Sequence, residues 1–166
     1  MVKNLGFTLV ELVLVILVLG ILSAVVLPKI INVSDDAHRA VVRSTSSSFQ
    51  TGVNQVKLRW LINGENTGIL NFIKLDDPNA GGDLSVNASG FPADTRGNGL
   101  TLNTQNDCID VWNALLGTEN FKVAHDDAEQ FRAFYHGDFT CSYFYNAMPS
   151  LFIHYNSNDG SVTTNA

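Results

Sequence analysis

The chain has 166 residues, with 10 Lys and Arg against 16 Asp and Glu and a formal net charge of −6. So sparse a set of bases, with no cluster among them, excludes a nucleic-acid backbone as partner, because phosphate contacts need grouped Lys and Arg. The length suits one domain with an appendage.

The appendage comes first. From Leu12 to Leu27 only Gly20 and Ser23 depart from hydrophobic residues. Extended back to Phe7, the run reaches the about 20 residues that a helix needs to cross a bilayer core. One carboxylate, Glu11, lies inside it. A secretory signal peptide would take Lys3 as its charged region and end after Ala24, but its apolar core would be long and would hold an acid. An ordinary membrane anchor leaves the acid unexplained, since a mid-helix Asp costs about 2.5–3.5 kcal/mol to insert and an intramembrane carboxylate calls for a partner.

The ordered string "LGFTLVELVLVILVLGILSAVVLPK" resembles the N-terminus of type IV pilins and of type II secretion pseudopilins. In that family a short basic leader ends in Gly, here Gly6. A membrane peptidase cuts before Phe, here Phe7, and methylates the new amine. The fifth mature residue is Glu, here Glu11, and a later proline matches Pro28. The resemblance covers roughly the first fifth of the chain. It implies a leader over 1–6, a transmembrane and polymerisation helix over 7–31, and a globular head over 32–166. Elementary electrostatics agrees: an ammonium at Phe7 and the Glu11 carboxylate of a neighbouring helix attract strongly in low dielectric, whereas either alone is costly.

Pro28 lacks an amide hydrogen and is expected to kink or break the helix. Beyond it, Val42, Phe49, Val53, Val56 and Trp60 recur on one helical face, and Asn63-Gly64 reads as a stop. One helix over roughly 8–62 is expected, its second half packed on a head. Segment 64–107 carries the turn signals "DDPNAGGD", "SGFPAD" and "RGNG", so loops with short strands are expected, one at Ile69–Ile73. "CIDVWNALLG" (108–117) reads as a short helix closed by Gly117, with Cys108, Val111, Trp112 and Leu115 on one face.

The chain ends in strands. "QFRAFYHGDFTCSYFYN" reads as a hairpin turning at His136-Gly137-Asp138, with Cys141, Tyr143 and Tyr145 alternating against Ser142 and Phe144. Leu151, Ile153 and Tyr155 share another strand face, followed by a turn at Asn158-Asp159-Gly160. The fold class is therefore α+β: a long N-terminal helix on a small antiparallel sheet of about four strands. Cys108 and Cys141 show no CxxC spacing; in an exported chain the simple reading is one disulfide. The C-terminal disulfide-bounded region of pilins accords with that pair. "GFP" (90–92), "CIDVW", "CSYFY" and "IHYNSNDGSV" are similar to mannose-sensitive haemagglutinin (MSHA-type) pilins.

Catalytic patterns are lacking. His38, His125, His136 and His154 show no metal-ligand spacing, and there is no GxSxG, phosphate loop or dinucleotide fingerprint. No catalytic residue, metal or cofactor is expected. "NSNDG" (156–160) offers calcium-type oxygens without the EF-hand spacing or its distal Glu, and reads first as a turn. "NVS" (32–34) and "NAS" (87–89) match the glycosylation sequon. Tyr135, Tyr143 and Tyr155 would suit sugar stacking if exposed, but sheet aromatics are expected inside.

The resemblance implies a type IVa major pilin rather than an enzyme. It would wait in the inner membrane as a precursor, then polymerise with itself into an extracellular fibre for attachment to surfaces or glycans. The implied partners are a prepilin peptidase, an assembly ATPase, a platform protein, a secretin and minor pilins. A pseudopilin of a type II secretion system is the nearest alternative. A secreted or membrane-anchored binding protein with an ordinary signal peptide is the alternative from another class.

Overall fold

The computed structural model describes residues 7–75, 82–96, 99–119 and 121–166, with backbone alone for 25–32. Helix α1, Leu9–Ile62, is 54 residues long. The chain divides into two compact units, Met1–Ala37 and His38–Ala166, so α1 contributes its first part to one and the remainder to the other.

In the second unit, Val42, Phe49, Val53, Val56 and Trp60 are all buried, the face that the three-, four- and seven-residue steps mark out. The helix stops as expected at Asn63-Gly64. Gly64 takes φ 72°, and its N–H bonds Leu61 O at 3.0 Å while Glu65 N–H bonds Trp60 O at 3.3 Å. This paired closure needs a left-handed residue, which glycine supplies without a Cβ penalty.

Two sheets follow. β1 (Ile69–Ile73), β2 (Leu84–Val86) and β3 (Pro92–Asp94) form an antiparallel sheet in chain order. After α2 (Gln105–Leu116) come β4 (Val123–Ala124), β5 (Phe131–Gly137), β6 (Thr140–Tyr145), β7 (Phe152–Asn156) and β8 (Ser161–Thr164), also in chain order. All pairings are antiparallel except the short parallel pair β4–β5. Five strands plus a separate three-stranded sheet replace the single sheet of about four expected from sequence. β4 is two residues long and β2 and β3 three each, too short for a period of two to register.

α2 starts three residues before the cysteine that suggested it, because Thr104 caps it. Thr104 Oγ1 accepts from Asp107 N at 3.1 Å, and the Asp107 carboxylate takes Thr104 N–H at 2.9 Å in return, a capping box that satisfies two orphan donors. Gly117 closes the helix at φ 77°.

The core lies between the C-terminal part of α1, α2 and the inner face of the five-stranded sheet. Phe49 is its centre, with ring centroids 5.6 Å from Trp112, 5.5 Å from Tyr143 and 5.4 Å from Tyr155. Cys141, Tyr143 and Tyr145 alternate inward as expected, as do Leu151, Ile153 and Tyr155. The Tyr143 hydroxyl donates to Cys108 O and that of Tyr155 to Pro92 O, both at 2.8 Å, so neither buried O–H is left unpaired. A Cys108–Cys141 disulfide joins α2 to β6. Closing 33 residues contributes about 3–4 kcal/mol on the chain-entropy account. The architecture is thus α+β, a helix packed on antiparallel sheets with one disulfide.

Candidate functional site

The N-terminal unit carries the chemistry that the sequence singles out. Phe7 is 75% exposed, and every large hydrophobic residue from Leu9 to Leu22 is at least 45% exposed. Within the first unit, none of the described residues covers this surface. Ser23 does not interrupt it, because its hydroxyl donates to Leu19 O at 2.7 Å and so makes no demand on the surroundings. Among the described residues no helix is long and apolar enough to cross a membrane. The span expected over 7–31 continues into 25–32, whose side chains lie outside the described residues.

Glu11 is held by a second capping box. The Thr8 N–H donates to Glu11 Oε2 at 2.9 Å and the Thr8 hydroxyl to the same oxygen at 2.8 Å. The Glu11 N–H returns a bond to Thr8 Oγ1 at 3.3 Å. Thr8-x-x-Glu11 is the Ser/Thr-x-x-Glu signature of a helix start, and the carboxylate lies favourably at the positive end of the helix dipole. Both donors converge on Oε2; Oε1 accepts nothing among the described residues. One face of the carboxylate is therefore satisfied in cis while the other is open to a donor from elsewhere. The partner expected for Glu11 is the Phe7 amine of a neighbouring helix; Thr8, legible as the start of a Thr-x-x-Glu signature, is a partner within its own helix.

Gly6 lies outside the described residues, and so does the Pro28 side chain. The backbone assignment is helical through position 28.

In the second unit the weaker candidates resolve. Asn87 of "NAS" spends its whole amide inside the fold: Nδ2 donates to Ser157 O at 2.5 Å, and Oδ1 accepts from Ser89 N at 2.9 Å and Phe91 N at 3.0 Å. Asn32 of "NVS" falls outside the described side chains. The "NSNDG" oxygens serve the turn itself. Asn156 Oδ1 accepts Asn158 N and Asp159 Oδ1 accepts Ser161 N, each at 2.9 Å; hydrogen bonding from the Ser161 side chain, and then from its backbone N–H, holds the Asp159 carboxyl below its usual value. Tyr143 and Tyr155 are fully buried and Tyr135 partly so, so the first two offer no stacking platform. No group of three or more His, Cys, Asp and Glu that could hold a metal occurs among the described residues.

The histidines are less scattered than their numbering suggests. His38 Nδ1 lies 3.2 Å from the Tyr145 hydroxyl. His136 and His154 meet across β6 at Ser142, with His136 Nε2 2.8 Å and His154 Nδ1 3.0 Å from its Oγ. Burial, and then the neighbouring His136, hold the His154 imidazole below its usual value.

A family model described as the prokaryotic N-terminal methylation motif matches residues 1–27. The chain is 39% identical over 46 residues to the type IV narrow pilus major component PilA5 of Thermus thermophilus, a match over 28% of this chain and 40% of that protein. The chain thus spans less than half the length of the curated relative it matches. No solved structure matches it. The N-terminus therefore carries a type IV pilin-like methylation motif with weak homology to a type IV pilin. This likeness is to a structural fibre component and not to an enzyme.

Proposed function

We propose that the chain is the major structural subunit of a type IV pilus. A prepilin peptidase cuts between Gly6 and Phe7 and methylates the Phe7 amine. Residues 1–6 are the leader, 7–31 the membrane and polymerisation helix, with Pro28 as its kink, and 32–166 the head. The observation that carries this reading is an uncovered apolar helix surface interrupted by one half-satisfied carboxylate. Such a surface is stable in lipid or against other copies of itself, and in water it would associate. Glu11 supplies the register: Oε1 can accept the Phe7 ammonium of an adjoining subunit while Thr8 holds Oε2, a charge-assisted bond that strengthens in low dielectric.

On this reading the precursor resides in the inner membrane and the product is an extracellular fibre for surface attachment, glycan-bearing surfaces included. An assembly ATPase, a platform protein, a secretin and minor pilins are the partners in assembly. The subclass proposed is the MSHA type, on the local similarities at 90–92, 108–112, 141–145 and 153–162.

Mass spectrometry of the mature N-terminus tests the reading. A methylated Phe7 is expected, and an N-terminus at Val25 would replace the reading with an ordinary signal peptide. Glu11→Ala should be cleaved yet yield no fibres. Normal amounts of full-length fibres from Glu11→Val cells would remove the role given to Glu11. Absence of extended surface fibres from wild-type cells would move the assignment to a pseudopilin.

A further inference from the structure

The outer face of the five-stranded sheet holds a group that the fibre reading does not use. His136 on β5 and His154 on β7 belong to strands that do not pair, yet both aim a ring nitrogen at Ser142 on the strand between them. Ser142 is only 3% exposed, and His136 is exposed, so the group is closed below and open to solvent above. A serine hydroxyl has one proton. At one contact at least, a ring N–H therefore donates to the serine oxygen, and holding an ion through that nitrogen takes the ring's other neutral tautomer.

We propose that His136 and His154 form an open binding site for a divalent transition cation, Zn2+ or Cu2+, with Ser142 beneath it and water completing the coordination. The donor set is right for these ions, since neutral imidazole suits zinc and copper while carboxylate-lined sites suit magnesium and calcium. The geometry is close to what is needed. An ion at about 2.0–2.1 Å from one nitrogen of each ring lies about 3.2 Å from each ring centre, which sets the centres about 5.2 Å apart in tetrahedral geometry. The observed centroid separation is 5.8 Å, and rotation of the exposed His136 ring closes a difference of about 0.6 Å. Each ring aims one nitrogen at Ser142 Oγ, so the two lie on one side of the site, and Phe134 packs edge-on against His136 at 4.8 Å.

With two protein ligands and open water positions the site is not a closed structural zinc centre. Its effect would be to tie β5 to β7 over β6 and so stiffen the sheet. This is independent of whether the chain polymerises.

The test uses the full-length protein in detergent micelles, titrated with Zn2+ by calorimetry and with Cu2+ by electron paramagnetic resonance. One ion per chain is expected, with a rise in Tm on Zn2+ addition and hyperfine coupling of Cu2+ to two imidazole nitrogens. His136→Ala and His154→Ala should each weaken binding by at least about tenfold, while His125→Ala should leave it unchanged. Should His154→Ala fail to fold, His136→Gln at the exposed ring and the wild-type copper spectrum carry the test. Failure to bind either ion in hundredfold excess, equal binding by wild type and both alanine variants, or coupling to fewer than two imidazoles would overturn the proposal.

Discussion

Phe49 is where the C-terminal part of α1 meets the head, and truncating it measures that junction. The ring is fully buried and faces Trp112, Tyr143 and Tyr155 at centroid separations of 5.4–5.6 Å. Phe49→Ala removes a whole ring from a packed core, which costs about 3–5 kcal/mol. Three aromatic pairs are lost together, each contributing about 0.5–1.5 kcal/mol beyond area burial, so the upper half of that range, about 4–5 kcal/mol, is expected. Phe49→Leu keeps most of the apolar volume and loses only the ring pairings, so about 1–2 kcal/mol is expected. The two variants should thus differ by about 3 kcal/mol, and the Ala variant should melt about 10–20 °C below wild type. Thermal and urea unfolding of the full chain in micelles, followed by near-ultraviolet circular dichroism and the fluorescence of Trp60 and Trp112, reads both. A loss under about 1 kcal/mol for Phe49→Ala would mean that the helix is not held through this ring. Equal losses for Ala and Leu would mean that ring pairing, not filled volume, dominates.

Removing the disulfide by Cys108→Ala with Cys141→Ala should cost about 3–4 kcal/mol, checked by unfolding; two alkylatable thiols in purified wild-type protein would contradict the bridge. Gly90 takes φ 76°, and a Cβ there would stand 2.5 Å from Trp60 Cδ2, so Gly90→Ala should cost more than about 2 kcal/mol. Gly64→Ala, with the same sign of φ but nothing within 4 Å, should cost about 1 kcal/mol; equal losses would mean that backbone strain alone operates at Gly90. Asp110 and Arg96 pair at 2.7 Å. The pair lifts Arg96, but burial falls on the enclosed carboxylate and outweighs the pairing, so Asp110 titrates above its usual value. The folded chain then takes up this proton before the unfolded chain does, and stability rises as pH falls through the folded value toward 3.8. Asp110→Asn, which mimics the protonated form, should therefore lose no more than about 1 kcal/mol at pH 7, because half-exposed Arg96 rehydrates. Unfolding followed from pH 7 to 4 should show wild type gaining relative to the variant, and a relative loss on acidification would refute the sign.

The methylation motif and the exposed apolar helix surface with its single acid were legible in the sequence, because an apolar run with one acid means the same thing before and after folding. So was the buried face Val42, Phe49, Val53, Val56 and Trp60, since a helix long enough to repeat its period displays its own inside. The alternation at 141–145 and at 151–155 was legible for the same reason, and two cysteines allow only one internal pair. The partition into two sheets was not, because strands of two or three residues are held by their neighbours and not by their own pattern. Nor could the sequence bring His136, Ser142 and His154 together: the strand order β5-β6-β7 and a bulge beside Gly137 place them. Asn87 reads as a sequon until the fold shows its amide spent on Ser157 and on its own loop. Local spacing is written in the chain, whereas which side chains meet across strands depends on register, and register is set only when the whole core closes.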